Sequence, residues 1–137
     1  MSILEQKAFI SSIHPFESLT PNQLDTFVEN IDIAYFKEHE MVQKNEGEPT
    51  HLYFILKGLI QEKHEDEVLS IYSKNEIFDS ISLIENYSKN SFITAEETIC
   101  YILPRDIFIN TLHENNILKN YFFQSISEKL NNNINHE

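Results

Sequence analysis

Between Asp32 and Pro104 short apolar runs alternate with polar turns, and helical spacing of apolar residues occurs only before and after them. Runs of that kind build a small barrel or roll, and six to eight strands fit the space. The expected strands are residues 33–36, 41–43, 52–56, 59–63, 68–72, 92–95 and 98–103. Leu52, Tyr53, Phe54, Ile55 and Leu56 are apolar without alternation, which predicts an inner strand covered on both faces. Asn45, Gly47 and Pro49 mark the turn before it and Gly58 ends it. His64, Glu65, Asp66 and Glu67 form a charged hairpin tip with no glycine to relax it. From Phe78 to Asn90 the pattern is irregular.

On the N-terminal side, Leu4, Ala8, Phe9 and Ile13 have the spacing of a short amphipathic helix without a strong start signal. Thr20, Pro21 and Gln23 form a capping box with proline at the first helical position, and Leu19 and Leu24 are placed to staple across it. Leu24, Phe27, Val28 and Ile31 make that helix's apolar face. After the strands, Pro104 opens a helix ending near His113, with Asp106 at the positive end of its dipole. In the last helix Leu118, Phe122, Ile126 and Leu130 recur four apart, with Ile117, Tyr121 and Phe123 beside them. So wide an apolar arc predicts a second partner, either a homodimer through residues 115–131 or docking to a downstream domain. Asn131, Asn132 and Asn133 are expected to fray.

At 137 residues and 41% hydrophobic the chain suits a single domain, with helices over 3–30, a β-roll over 31–103 and C-terminal helices over 104–131. Ten basic against 22 acidic residues give a net charge of −12, a field that repels nucleic-acid phosphates and anionic lipid. Neither nucleic acid nor membrane is an expected partner. No apolar run approaches a bilayer's thickness and no basic-then-apolar leader is present, so a cytoplasmic location is expected. Cys100, the one cysteine, lies in an apolar run and reads as a buried, inert thiol.

Motifs for catalysis and cofactors are missing. There is no phosphate-binding glycine loop, dinucleotide fingerprint or cysteine pair for zinc, and no cofactor is expected. The histidines at 14, 39, 51, 64, 113 and 136 lack the paired spacing of metal-binding barrels, and His64 with Asp66 and Glu67 reads as a solvated turn. Glu96 and Glu97, taken as neighbours on a strand, point to opposite faces and cannot act as a catalytic pair. This segment is therefore not expected to be an enzyme.

Particular residues nevertheless carry a resemblance. His14-Pro15-Phe16 through Leu19 and Leu24, then Gly47-Glu48, Leu52-Tyr53-Phe54-Ile55 and Lys57-Gly58, are similar to the opening turn, glycine–glutamate turn, apolar strand and closing glycine of the cyclic-nucleotide-binding domain. That is the domain of catabolite-activator-type regulators and kinase regulatory subunits. Residues 78–95 resemble its phosphate-binding cassette at full length, and the likeness runs from about residue 9 to 130. It implies a mainly β fold with flanking helices: a double-stranded β-helix, or jelly-roll-like β-roll, with N-terminal helices and two C-terminal helices. Residues 96–104 most resemble modules that precede paired regulatory domains and a nucleotidyltransferase-like domain in bacterial signalling proteins. That finer likeness implies the N-terminal sensor of a longer polypeptide.

The cassette departs from the family's pattern. Where the family has a glycine, a ribose-binding glutamate and a phosphate-binding arginine, this chain has Asp79, Ser80 and Lys89. Losing a charge-assisted hydrogen bond costs about 1.5–3 kcal/mol, and lysine gives up the two-pronged grip of a guanidinium. A carboxylate about 5 Å from a phosphate repels it by roughly 3 kcal/mol at an effective dielectric near 20. Asp79 also stands at the start of a short helix, where it or Ser80 is expected to cap the amides that would otherwise hold a phosphate. The leading expectation is a non-catalytic regulatory or sensor module with a degenerate cassette, its candidate pocket formed by Phe78, Asp79, Ser80, Ile81, Ser82, Lys89, Asn90 and Ser91. It would hold a cyclic nucleotide or other small ligand weakly and signal or dimerise through its last helix. A functional cyclic-nucleotide or other small-ligand domain is the alternative. A jelly-roll metal protein or enzyme, which would need inward-facing histidines, is the second.

Overall fold

The structure is a computed structural model that describes residues 2–135, except for the side chains of residues 125 and 128–135. Its eight strands form two antiparallel four-stranded sheets between helices. One sheet holds β1 (Asp32–Phe36), β8 (Thr98–Pro104), β3 (His51–Lys57) and β6 (Ile77–Phe78) in that spatial order. The other holds β2 (Met41–Gln43), β7 (Ser91–Thr94), β4 (Ile60–His64) and β5 (Glu67–Tyr72). This is the jelly-roll fold with flanking helices that the resemblance implies.

The unbroken apolar run in β3 is explained by burial on both sides. Leu52 and Phe54 face the helices, where they join Tyr101 and Leu103 of β8, while Tyr53 and Ile55 face the space between the sheets with Cys100, Phe78 and Phe92. Phe16, in a single 3-10 turn (Phe16–Ser18), lies at the centre of the helix-side core. Its ring meets those of Phe54, Phe27 and Phe122 at 5.2, 6.0 and 6.1 Å between centroids. Burial pushes the Cys100 thiol up to about 12, so it is held in its neutral, inert form.

Helix ends follow local chemistry. At α2 (Pro21–Asn30) both halves of the Thr20–Gln23 capping box form. For α1 (Ile3–Ser11) there is a start signal that periodicity alone overlooked: the Ser2 hydroxyl accepts from the Glu5 amide at 3.1 Å. The short helix α3 (Ser80–Glu85) follows β6, and Arg105 Nε donates to Leu83 O near its C-terminal end at 2.6 Å. Asn115 joins α4 (Arg105–Glu114) to α5 (Asn116–Asn135). Its amide donates to Ser18 O and Gln23 Oε1, each at 3.0 Å, and its oxygen accepts from the Leu118 amide at 3.1 Å. Asn131, Asn132 and Asn133, expected to fray, continue α5. Glu96 and Glu97 lie in the turn between β7 and β8, not on a strand.

Gly58 closes β3 at φ +108°, and a Cβ there would fall 2.3 Å from Thr98 Oγ1 and 2.6 Å from Glu97 O. Backbone strain and forced overpacking then act together, so Gly58→Ala is expected to lower unfolding free energy by about 2–4 kcal/mol, read from urea denaturation.

Candidate functional site

A cavity of about 310 Å³ opens between α3, the return segment 86–90, strands β4 and β5, and α5. Its floor is aromatic. Phe78 stacks on Tyr53 at 5.1 Å and on Phe92 at 4.9 Å, which makes a continuous apolar base under the polar rim.

From Phe78 the backbone turns through Asp79 at φ +60° into α3, and leaves it through Asn86 at φ +59°. Aspartate and asparagine tolerate this left-handed region better than most side chains. The Asp79 side chain makes no capping hydrogen bond to α3, contrary to the expected cap. Instead its Oδ2 accepts from the hydroxyl of buried Ser88 at 3.2 Å. Ser88 Oγ also lies 2.9 Å from Asn90 O, and the Ser88 backbone bridges to the turn at Gly47.

Opposite this segment stands Glu62 of β4, which the sequence reading did not single out. Its carboxylate accepts from Tyr72 OH at 2.8 Å and from Asn90 Nδ2 at 2.6 Å, tying the cassette to the second sheet. Burial first, and then the Glu62 carboxylate, raise the Tyr72 phenol well above its ordinary value. The available signal was strand alternation: Ile60 is buried, so Glu62 two residues on shares its inward face.

Of the expected pocket residues, Phe78, Asp79, Ser80, Ile81, Ser82, Lys89 and Asn90 line the cavity. Ser91 does not; it lies on β7, hydrogen-bonded to Asn45 through the Asn45 amide and side chain at 3.2 Å each. Tyr121, Phe122 and Ile126 of α5 complete the wall. The ionisable groups around the cavity are Glu62, Asp79 and Glu85 against Lys89, three carboxylates to one exposed cation. Such a field disfavours an anionic ligand. Among the described residues no group of three His, Cys, Asp or Glu side chains is placed to hold a metal, and no helix is long and apolar enough to cross a membrane.

The sequence profile described as "Cyclic nucleotide-binding domain" matches residues 33–115. The chain belongs to this family. Within this cyclic-nucleotide-binding fold, the sensor domain of the transcriptional regulator DNR from Pseudomonas aeruginosa superposes with a TM-score of 0.88 at 14% identity, over 98% of this chain and 95% of that one. The regulatory domain of Toxoplasma gondii PKA with cAMP gives 0.72 at 16% identity, over 79% of this chain and 43% of that one. A cyclic nucleotide-binding-like protein from Brucella abortus gives 0.65 at 19%, over 80% and 98%. At these identities the likeness is one of fold. No curated protein matches the chain.

Glu62→Gln removes the charge beside Tyr72 and leaves its burial in place. In a spectrophotometric phenolate titration the Tyr72 transition is therefore expected to move to lower pH while staying above the ordinary phenol value, because burial is the larger cause. A phenol whose folded-state value is raised stabilises the fold fully below its unfolded value near 10, and loses that contribution as pH rises toward the folded value.

Proposed function

We propose that this member of the cyclic-nucleotide-binding family is a non-catalytic regulatory or sensor module whose cassette does not hold cyclic AMP tightly. The observation that carries this reading is the lining charge of the cavity, three carboxylates to one lysine, with Asp79 where the family pattern has glycine. A cyclic phosphate entering there meets repulsion from Asp79 and Glu62, no carboxylate from Ser80 for a ribose hydroxyl, and a point charge rather than a fork from Lys89. The aromatic floor remains able to stack a planar group. Structural neighbours such as the PKA domain with cAMP establish that the fold can serve a cyclic nucleotide; here the polar rim argues against it.

The same helix that closes the cavity also faces outward. Phe122 is buried against Phe16 and Phe108, while Ile117, Tyr121 and Phe123 are 65%, 39% and 41% exposed. We read residues 1–137 as one unit that works in the cytoplasm and passes its state on through α5, either to a second copy through residues 115–131 or to a downstream domain. Leu130, counted on that face from the sequence, lies outside the described side chains. The likeness of residues 96–104 to sensors preceding a nucleotidyltransferase-like domain favours the N-terminal position in a longer signalling protein.

Calorimetric titration with cyclic AMP and with cyclic GMP is expected to give no binding tighter than about 1 mM, and micromolar binding would overturn the reading. The triple variant Asp79→Gly, Ser80→Glu, Lys89→Arg is expected to gain at least about 100-fold in cyclic AMP affinity, a change of roughly 2.7 kcal/mol. For the outward face, Ile117→Lys with Phe123→Lys is expected to convert a dimer to a monomer in sedimentation analysis.

A further inference from the structure

The helix-facing side of the first sheet is not covered to its end. Register sets Tyr35, Ile99 and Lys57 side by side on β1, β8 and β3. Ile99 shares its face with Tyr101 two residues on, and Tyr101 is fully buried, its ring met by that of Phe9 of α1 at 5.6 Å. At Ile99 the helical cover has run out: this residue is half-buried, Tyr35 is 73% exposed and Lys57 is exposed. Phe36, Lys37 and Glu97 help enclose a groove of about 290 Å³ there. That volume is just below the usual range for small-molecule sites, about 300–1,000 Å³, and suits a ligand of few heavy atoms.

Charge separates this groove from the cassette cavity, with which it shares no lining residue. Two of the chain's ten basic residues border it against one carboxylate, in a protein whose net charge is −12. Among the described residues neither Lys37 nor Lys57 is in an ion pair. The cassette cavity repels anions, and the groove is the apolar concavity with cations at its rim. We propose that it is a second ligand site, for a small amphipathic carboxylate whose aryl or alkyl body lies on Tyr35 and Ile99 and whose carboxylate is met by Lys37 and Lys57. This site is independent of the cassette and of whatever the cassette binds.

Sodium octanoate is the probe and 1-octanol, of similar length and uncharged, the control, each titrated into ¹⁵N-labelled full chain and followed by amide chemical shift. Saturable shifts at Tyr35, Lys57 and Ile99 are expected, with a Kd of about 0.1–1 mM. Binding of 1-octanol is expected to be at least about tenfold weaker. The double variant Lys37→Glu, Lys57→Glu should keep the wild-type urea midpoint, since both side chains are exposed, and lose at least about tenfold in octanoate affinity. The proposal is overturned by an absence of saturable shifts up to about 10 mM, by equal binding of octanol or of the double variant, or by shifts centred on residues 78–90 instead.

Discussion

The burial of β3 on both faces is the constraint on which the rest of the molecule depends. Leu52, Tyr53, Phe54 and Ile55 are at most 9% exposed, so this strand must be sandwiched between a helix layer and a second sheet. β8 shares the arrangement, with Tyr101 and Leu103 toward the helices and Cys100 inward. Closely packed interiors transmit displacement rather than absorb it. Tyr53 is stacked on Phe78, the first residue of the cassette, and Phe54 meets Phe16, which in turn meets Phe122 of α5. Adjacent residues of one strand are thus linked to the floor of the cavity directly and, through Phe16, to the helix that walls it.

Within that frame the cassette is held by its own polar groups. Asp79 is engaged by Ser88, and Asn90 and Tyr72 converge on Glu62. Each bond is of the kind whose rupture in a partly buried place costs about 1–3 kcal/mol, so the segment keeps its shape without any ligand to organise it. The cavity has an aromatic floor, and its ionisable lining, three carboxylates to one lysine, disfavours an anion.

How far the sequence could be read varied with the physics involved. Apolar alternation and its failure at residues 52–56 locate seven strands to within one or two residues but not β6, whose two residues are too few to alternate; the Thr20–Gln23 box is legible because capping is local chemistry. The start of α1 is equally local, in Ser2 and Glu5, a signal that apolar periodicity does not carry. Glu62 was harder to see. Its importance arises from Asn90, 28 residues away, and from Tyr72 across a hairpin, which no window of sequence brings together. Asp79 was identified as the decisive departure but given the wrong contact, because an aspartate before a short helix usually caps it. The αL turn directs its carboxylate to Ser88 instead. Ser91 was counted in the pocket by adjacency to Asn90, yet side chains alternate along β7 and its hydroxyl serves Asn45.

The conformation at Asp79 bears on which residues this position tolerates. The backbone there occupies the left-handed well that a residue without Cβ enters freely, so the aspartate sits in a geometry that also suits the glycine of the pattern this segment resembles. Glycine there would enter the same well without a Cβ penalty while giving up the hydrogen bond from Ser88, whose loss costs about 1–3 kcal/mol. The turn from β6 into α3 is thus a main-chain feature that an aspartate tolerates and a glycine would adopt freely, whichever side chain it carries.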